Sequence, residues 1–133
     1  MTKSQEPLVK KKLKAALDQH PDRIDHFTVA TRGMGSSGVA DRCGTVKLNA
    51  RGVMGAPIGV AFRIECKGFD TTKKSEPTAL QLKSLLANAK LGGFSALCRP
   101  IIQTVYFSDD TSADMQMRPD ELVEYMLSGE WVR

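Results

Sequence analysis

Two carboxylates and a lysine near the middle of the chain have the residue types and the order that metal-assisted hydrolysis of a phosphate ester needs. Asp41 lies 24 residues before Glu65, and Lys67 follows Glu65 after one intervening residue. Carboxylates are the usual protein ligands of Mg²⁺, and a bound metal lowers the pKa of its water to give a nucleophile. A lysine beside the metal orients that water or stabilises negative charge in the transition state.

The elements that position these residues begin with a strand predicted at residues 60–67. Side chains alternate between the two faces of a strand, which brings Glu65 and Lys67 to the same face. The apolar face comprises Val60, Phe62, Ile64 and Cys66, and the other face comprises Ala61, Arg63, Glu65 and Lys67. The alternative interpretation is that Glu65 and Lys67 are only the solvated face of a half-buried strand.

Two predicted helices carry further candidate residues. Residues 4–19 and 78–91 both show apolar side chains at the spacing of one helix face. Glu6 projects toward the inward side of the first helix, where it either reaches the metal or, as a first-turn acid, stabilises the helix dipole. Gln81 forms a capping box with Thr78, which competes with a role at the site.

The remaining segments predict strands at 26–32, 42–49, 94–98 and 101–107, the last at a sheet edge, and a final helix at 119–128. Residues 20–25 and 108–118 are predicted to be loops. The stretch from Gly33 to Gly38 matches G-x-G-x-x-G, but no sustained helix follows it, so we reject a dinucleotide site. We interpret it as a loop that delivers Asp41.

Composition bounds the class of protein. With 133 residues, a single domain over 1–133 is expected, and that length can bury a core without disulfides. Cys43, Cys66 and Cys98 lack zinc-ligand spacing, which favours reduced thiols and a cytoplasmic protein, in the host-cell cytoplasm if the protein is viral. No apolar window approaches a transmembrane length, so we expect no membrane partner.

Charge is distributed unevenly along the chain. Residues 1–67 contain 12 Lys and Arg against 6 Asp and Glu, whereas residues 68–133 contain 7 against 9. The basic half holds the candidate site, as a protein that binds a phosphate backbone requires, although lysine-rich helices also serve solubility. The acidic stretch 109–130 is expected to face away from nucleic acid or to mediate self-association.

Four short motifs in this order carry a family resemblance. They are Gly38-Val39-Ala40-Asp41, Arg63-Ile64-Glu65-Cys66-Lys67, Thr78-Ala79-Leu80-Gln81 and Gly92-Gly93-Phe94-Ser95-Ala96-Leu97. Together they resemble the VRR-NUC family of the PD-(D/E)XK nuclease superfamily, over about residues 6–98. One departure is Ala40, because the superfamily often has proline before the metal aspartate. This changes the stiffness of the loop and leaves the ligand chemistry intact.

The resemblance implies an α/β fold, a restriction-endonuclease-like core in which helices flank a mixed β-sheet in the order αβββαβ. It further implies an Mg²⁺- or Mn²⁺-dependent endodeoxyribonuclease that acts on branched or flapped DNA, such as Holliday junctions, as a homodimer. Stand-alone domains of this kind are typical of bacteriophages. The alternatives are a non-catalytic nucleic-acid-binding module and a nuclease for unbranched duplex or RNA.

The resemblance also assigns roles to individual residues. Asp41 and Glu65 are the expected metal ligands, with the Cys66 carbonyl completing the set and Glu6 as an outer ligand. Lys67 is the expected group that positions or activates water, and Gln81 assists it. Additional phosphate contacts are expected from Arg63, Arg42 and Lys73, although Lys73 in a solvated loop is the competing interpretation.

Overall fold

Three helices and six strands make up the described part of the chain, which in this computed structural model comprises residues 6–28, 41–68 and 76–133, without the side chains of 49–51 and 53. The elements are, in chain order, α1 (Glu6–Asp18), β1 (Ile24–Phe27), β2 (Arg42–Arg51), β3 (Pro57–Cys66), α2 (Ala79–Lys90), β4 (Phe94–Cys98), β5 (Ile102–Tyr106), β6 (Ser112–Gln116) and α3 (Pro119–Ser128), with a 3-10 turn at Val53–Gly55.

The six strands form one mixed sheet in the order β1-β2-β3-β4-β5-β6. β3 and β4 are parallel, and α2 provides the crossover that a parallel pair needs. All other neighbouring strands are antiparallel. The prediction of a mixed α/β sheet flanked by helices is confirmed, including the order αβββαβ over its first six main elements.

The helices cover both faces of the sheet. On one face, the apolar stripes of α1 and α3 pack over alternating side chains of β3 and β4 in the main core. That core includes Phe62, Ile64 and Cys66, so the predicted apolar face of β3 is confirmed. On the other face, Leu85 of α2 packs with Leu97. Because Glu65 alternates with Ile64 and Cys66, it lies on the face that α2 covers.

Glycine at position 44 lets β1 approach β2 closely. A Cβ atom added at Gly44 would lie 1.9 Å from the carbonyl oxygen of Asp25. No side chain can be accommodated at that distance without a shift of the backbone. The pairing of Gly44 with His26 is therefore possible because glycine has no side chain.

Two strand predictions were wrong. β1 begins at Ile24, inside the segment expected to be a loop, because Ile24 is buried and pairs with Val46. Residues 29–32 of the predicted strand lie outside the described part. The segment 108–118 was predicted to be a loop but contains β6, so β5 is an interior strand and not an edge strand. Ala113, Met115 and Met117 pack against the core and hold this polar strand in place.

Candidate functional site

Strand pairing brings Asp41 beside the end of β3. Asp41 immediately precedes Arg42, which pairs with Ile64 in the antiparallel ladder. Its carboxylate is then fixed by the backbone, because the amide N of Cys66 donates to Asp41 Oδ2 at 2.8 Å. The other oxygen, Oδ1, remains available for other contacts. The structure thus brings Asp41 next to Glu65, as the sequence predicted.

Glu6 joins these two acids from the first turn of α1. One carboxylate oxygen from each of Glu6, Asp41 and Glu65 lies within 4.8 Å of the other two. At that separation, two ionised carboxylates repel by about 3 kcal/mol at an effective dielectric near 20. A cation between them would remove this cost, and oxygen ligands suit a hard divalent ion. Glu6 is both an acid in the first turn of α1 and within reach of the site, so both interpretations of this residue stay open.

Glu65 is the buried member of the cluster. Its side chain is 3% exposed, which is unusual for a carboxylate. Oε1 accepts a hydrogen bond from Gln81 Nε2 at 2.9 Å, whereas Oε2 is buried with no hydrogen-bond partner in the described part of the protein. Burial, then the negative charge of Asp41 and the hydrogen bond that a protonated Glu65 makes with the Asp41 side chain, raise the pKa of Glu65 to about 8, against a smaller lowering by Lys67. A neutral carboxyl is thus favoured near pH 7 until a cation compensates its charge.

Gln81 performs two tasks at once. Its Oε1 accepts from the backbone N of Thr78 at 2.9 Å while Thr78 Oγ1 accepts from the backbone N of Gln81, which completes the predicted capping box. Its Nε2 donates to Glu65. The two interpretations of Gln81 are therefore compatible in one conformation, because the amide has a separate acceptor and donor. The helix cap orients the group that holds Glu65.

Lys67 and Cys66 lie where β3 ends against β4. Lys67 is half-buried, and its amide N donates to the carbonyl of Cys98 at 2.9 Å. Its ammonium is close enough to lower the pKa of Glu65. The Cys66 thiol is buried, and its pKa is raised by its contact with the Cys98 thiol and by burial. Cys66 thus reaches the site with its backbone, and its carbonyl remains the predicted ligand.

Lys10 is a member of the site that the sequence did not indicate. Its Nζ lies 3.4 Å from Asp41 Oδ1 and 3.9 Å from Glu6 Oε1. The partial burial of Lys10 lowers its pKa, but the charges of Asp41 and Glu6 outweigh this, and the pKa is raised overall. The i, i+4 spacing of Glu6 and Lys10 was the available signal, since such pairs are neighbours on a helix.

Two of the three residues expected to contact phosphate, Arg63 and Arg42, contact other protein groups. Arg63 Nη1 donates to the carbonyl and to Oγ of Ser84, each at 3.0 Å, and so ties β3 to α2. Arg42 Nη1 lies 3.3 Å from His26 Nδ1, whose ring Nε2 is 2.6 Å from Asp18. Lys73, like the glycine-rich loop at 33–38, lies outside the described residues. The DNA contacts of all three basic residues stay predictions.

The two histidines each contact a carboxylate outside the acidic cluster. His20 Nε2 lies 3.2 Å from Glu124. Because a guanidinium can only donate, the contact between Arg42 and His26 requires His26 Nδ1 to accept and Nε2 to carry the proton toward Asp18. Both rings therefore join surface elements.

Comparisons of the chain with protein-family models, with curated proteins and with solved structures give no significant match. Within the described ranges, no helix is both long enough and apolar enough to cross a membrane. The case for a function therefore depends on the geometry of the site. Among the described residues, that geometry combines three converging carboxylates, a buried carboxylate oxygen without a hydrogen-bond partner and two lysines.

Proposed function

We propose that this protein is an Mg²⁺- or Mn²⁺-dependent endodeoxyribonuclease with a restriction-endonuclease-like core. One observation carries the proposal. When Glu65 is ionised, its Oε2 is buried without a hydrogen-bond partner among the described residues, in a cluster with Asp41 and Glu6. A buried acceptor that is left unpaired costs about 1–3 kcal/mol, and more when charged, so proteins retain one where a ligand compensates it.

The chain offers three carboxylates as candidate oxygen ligands. Asp41 and Glu65 would hold the cation directly, with the Cys66 carbonyl beside them and Glu6 as an outer ligand. The metal, when bound, supplies positive charge for the phosphate and lowers the pKa of a water molecule. Gln81 fixes Glu65 Oε1 and thereby leaves Oε2 for the cation. The Cys66 amide fixes one oxygen of Asp41 in the same way.

Lys67 is the proposed group that acts on the reacting atoms. It directly follows the last residue of β3 and is near enough to Glu65 to lower the pKa of that carboxyl. An ammonium at this position orients the attacking water and stabilises the charge that develops on the phosphate oxygens. Among the described residues, no histidine belongs to the cluster of potential metal ligands.

DNA as the substrate is supported by charge and by the resemblance to VRR-NUC nucleases. The half of the chain that contains the site carries six more basic than acidic residues. Positive charge of this kind binds the phosphate backbone and makes affinity fall steeply with salt. The resemblance adds branched or flapped DNA as the preferred form and a homodimer whose two sites would cut symmetrically.

A cleavage assay with three DNA structures and with variants of the protein tests the proposal. Purified protein is incubated with linear duplex, flap and four-way junction DNA in Mg²⁺, Mn²⁺ or EDTA. We expect metal-dependent cutting that Asp41→Asn and Lys67→Ala each reduce by at least about 100-fold. Asp41→Asn retains an acceptor for the Cys66 amide, so loss of activity would reflect lost charge and not lost structure.

The matched controls are Asp22→Asn and Lys83→Ala, which remove the same charges from exposed positions on the turn before β1 and on α2. Both controls should cut as the wild type does. Binding of DNA without cutting in either metal would instead leave a non-catalytic module. Equal rates on all three DNAs would remove the preference for branched DNA.

A further inference from the structure

Lys10 occupies a distinctive position in the acidic cluster. It lies one helical turn after Glu6 on α1, and its ammonium contacts both Glu6 and Asp41, which come from separate elements. Its side chain is 49% exposed, so the stem runs along the surface while the charged end points at the carboxylates. The cation thus lies against two of the three acids that would hold a metal.

The distances from the Lys10 ammonium to the two carboxylates indicate that Lys10 can be displaced from them. Tight charge-assisted contacts are about 2.7–2.9 Å long, and the contact of Lys10 with Asp41 is 3.4 Å. Lysine has a flexible stem with a point charge, and an exposed ion pair contributes at most about 1 kcal/mol. Such a pair reduces the repulsion between the carboxylates only in part and is weak enough for a divalent ion to displace.

We propose that Lys10 is a built-in counter-ion of the metal site. In the metal-free protein it forms ion pairs with Asp41 and Glu6, it yields these carboxylates when a divalent cation binds, and its released ammonium then contacts a phosphate of the DNA beside the metal. The inference rests on the proposed metal site, and it assigns Lys10 two successive partners there.

Mn²⁺ affinity measures the first step. Isothermal titration with Mn²⁺ compares the wild type with Lys10→Met, Lys10→Arg and Lys11→Met. Removal of a competing ion pair of up to about 1 kcal/mol should make Lys10→Met bind Mn²⁺ up to about fivefold more tightly. Lys10→Arg retains the charge and should show no gain. Lys11→Met changes a neighbouring exposed lysine on another side of α1 and should match the wild type.

A second readout needs no metal. In EDTA, Lys10→Met should melt a few degrees below the wild type. The same change should have less effect in an Asp41→Asn background, because the charge that pairs with Lys10 is already gone. Equal shifts in both backgrounds, or Mn²⁺ affinity unchanged in Lys10→Met, would overturn the counter-ion role. If the Lys10 and Asp41 substitutions were coupled in EDTA but the wild type did not bind Mn²⁺, only the proposed metal-dependent function would be overturned.

The phosphate contact is tested by salt dependence. In a Lys67→Ala background, which should bind DNA without cutting it, affinity for a four-way junction is measured in Mn²⁺ over a range of salt. Loss of one phosphate contact in Lys10→Met should reduce the slope of log affinity against log salt by about 0.9. In EDTA, where Lys10 remains with the carboxylates, the slope should not change. An equal slope in Mn²⁺ would refute this second partner.

Discussion

Replacement of Glu65 by glutamine should stabilise the protein in the absence of metal while abolishing its response to metal. The change keeps the shape of the side chain and removes its charge. Glutamine Oε1 can still accept from Gln81, and its new NH₂ can donate to the carboxylate of Asp41. The variant would therefore place a hydrogen-bonded NH₂ group where ionised Glu65 has an oxygen without a partner in the described part of the protein.

The magnitude follows from the raised pKa of Glu65. Burial and the charge of Asp41 raise it to about 8, from 4.5 for a free side chain. The native state binds the proton of Glu65 more tightly than the unfolded state does. The contribution of the neutral carboxyl to the free energy of unfolding is therefore fully present below about pH 4.5 and is lost as the pH rises to about 8. At about 1.4 kcal/mol per pKa unit, the loss is at most about 5 kcal/mol.

Thermal unfolding in EDTA at pH 5–9 measures this effect. We expect Glu65→Gln to gain at least about 2 kcal/mol over the wild type at pH 8.5, or about 6 °C for a chain of this size, with little gain at pH 5. Addition of Mn²⁺ at 100 times its dissociation constant should stabilise the wild type by about 2.7 kcal/mol and leave Glu65→Gln unchanged.

Glu130→Gln is the matched control, because it removes a carboxylate that is exposed near the C-terminus. Its unfolding should follow the wild type at every pH and in Mn²⁺. The reasoning would be refuted if Glu65→Gln were no more stable than the wild type in EDTA at pH 8.5. A variant that retained stabilisation by Mn²⁺ would also refute it, since Glu65 would then not be a ligand.

Two further predictions concern the elements that position the site. Thr78→Ala should lower the free energy of unfolding by about 1 kcal/mol, because the helix cap is lost, and should retain Mn²⁺ affinity. Gln81→Ala should lower the free energy of unfolding by a similar amount and should also alter Mn²⁺ affinity. Equal Mn²⁺ titrations of the two variants would contradict a role for Gln81 at the site. Gly44→Ala should cost more than about 2 kcal/mol in denaturant unfolding, because its Cβ would meet the Asp25 carbonyl, whereas Gly52→Ala has only ordinary contacts and should cost less.

Local patterns were sufficient where a structure depends on neighbouring residues in the chain. The alternation in β3 predicted which side chains enter the core, and the Thr78-to-Gln81 spacing predicted the capping box. β6 escaped prediction because its residues are mostly polar. Only pairing with β5 and contact of Ala113 and Met115 with the core make that segment a strand.

The sequence by itself determined the identity and order of the acids and of Lys67, the strand that carries Glu65, and the helix that carries Gln81. Only the tertiary structure decided that Glu65 is buried, since alternation marks a face but not what covers it, and here α2 covers it. The structure alone also placed Lys10 against Asp41. Their contact joins a helix to the start of a strand, and such contacts depend on how elements pack, which no local spacing encodes.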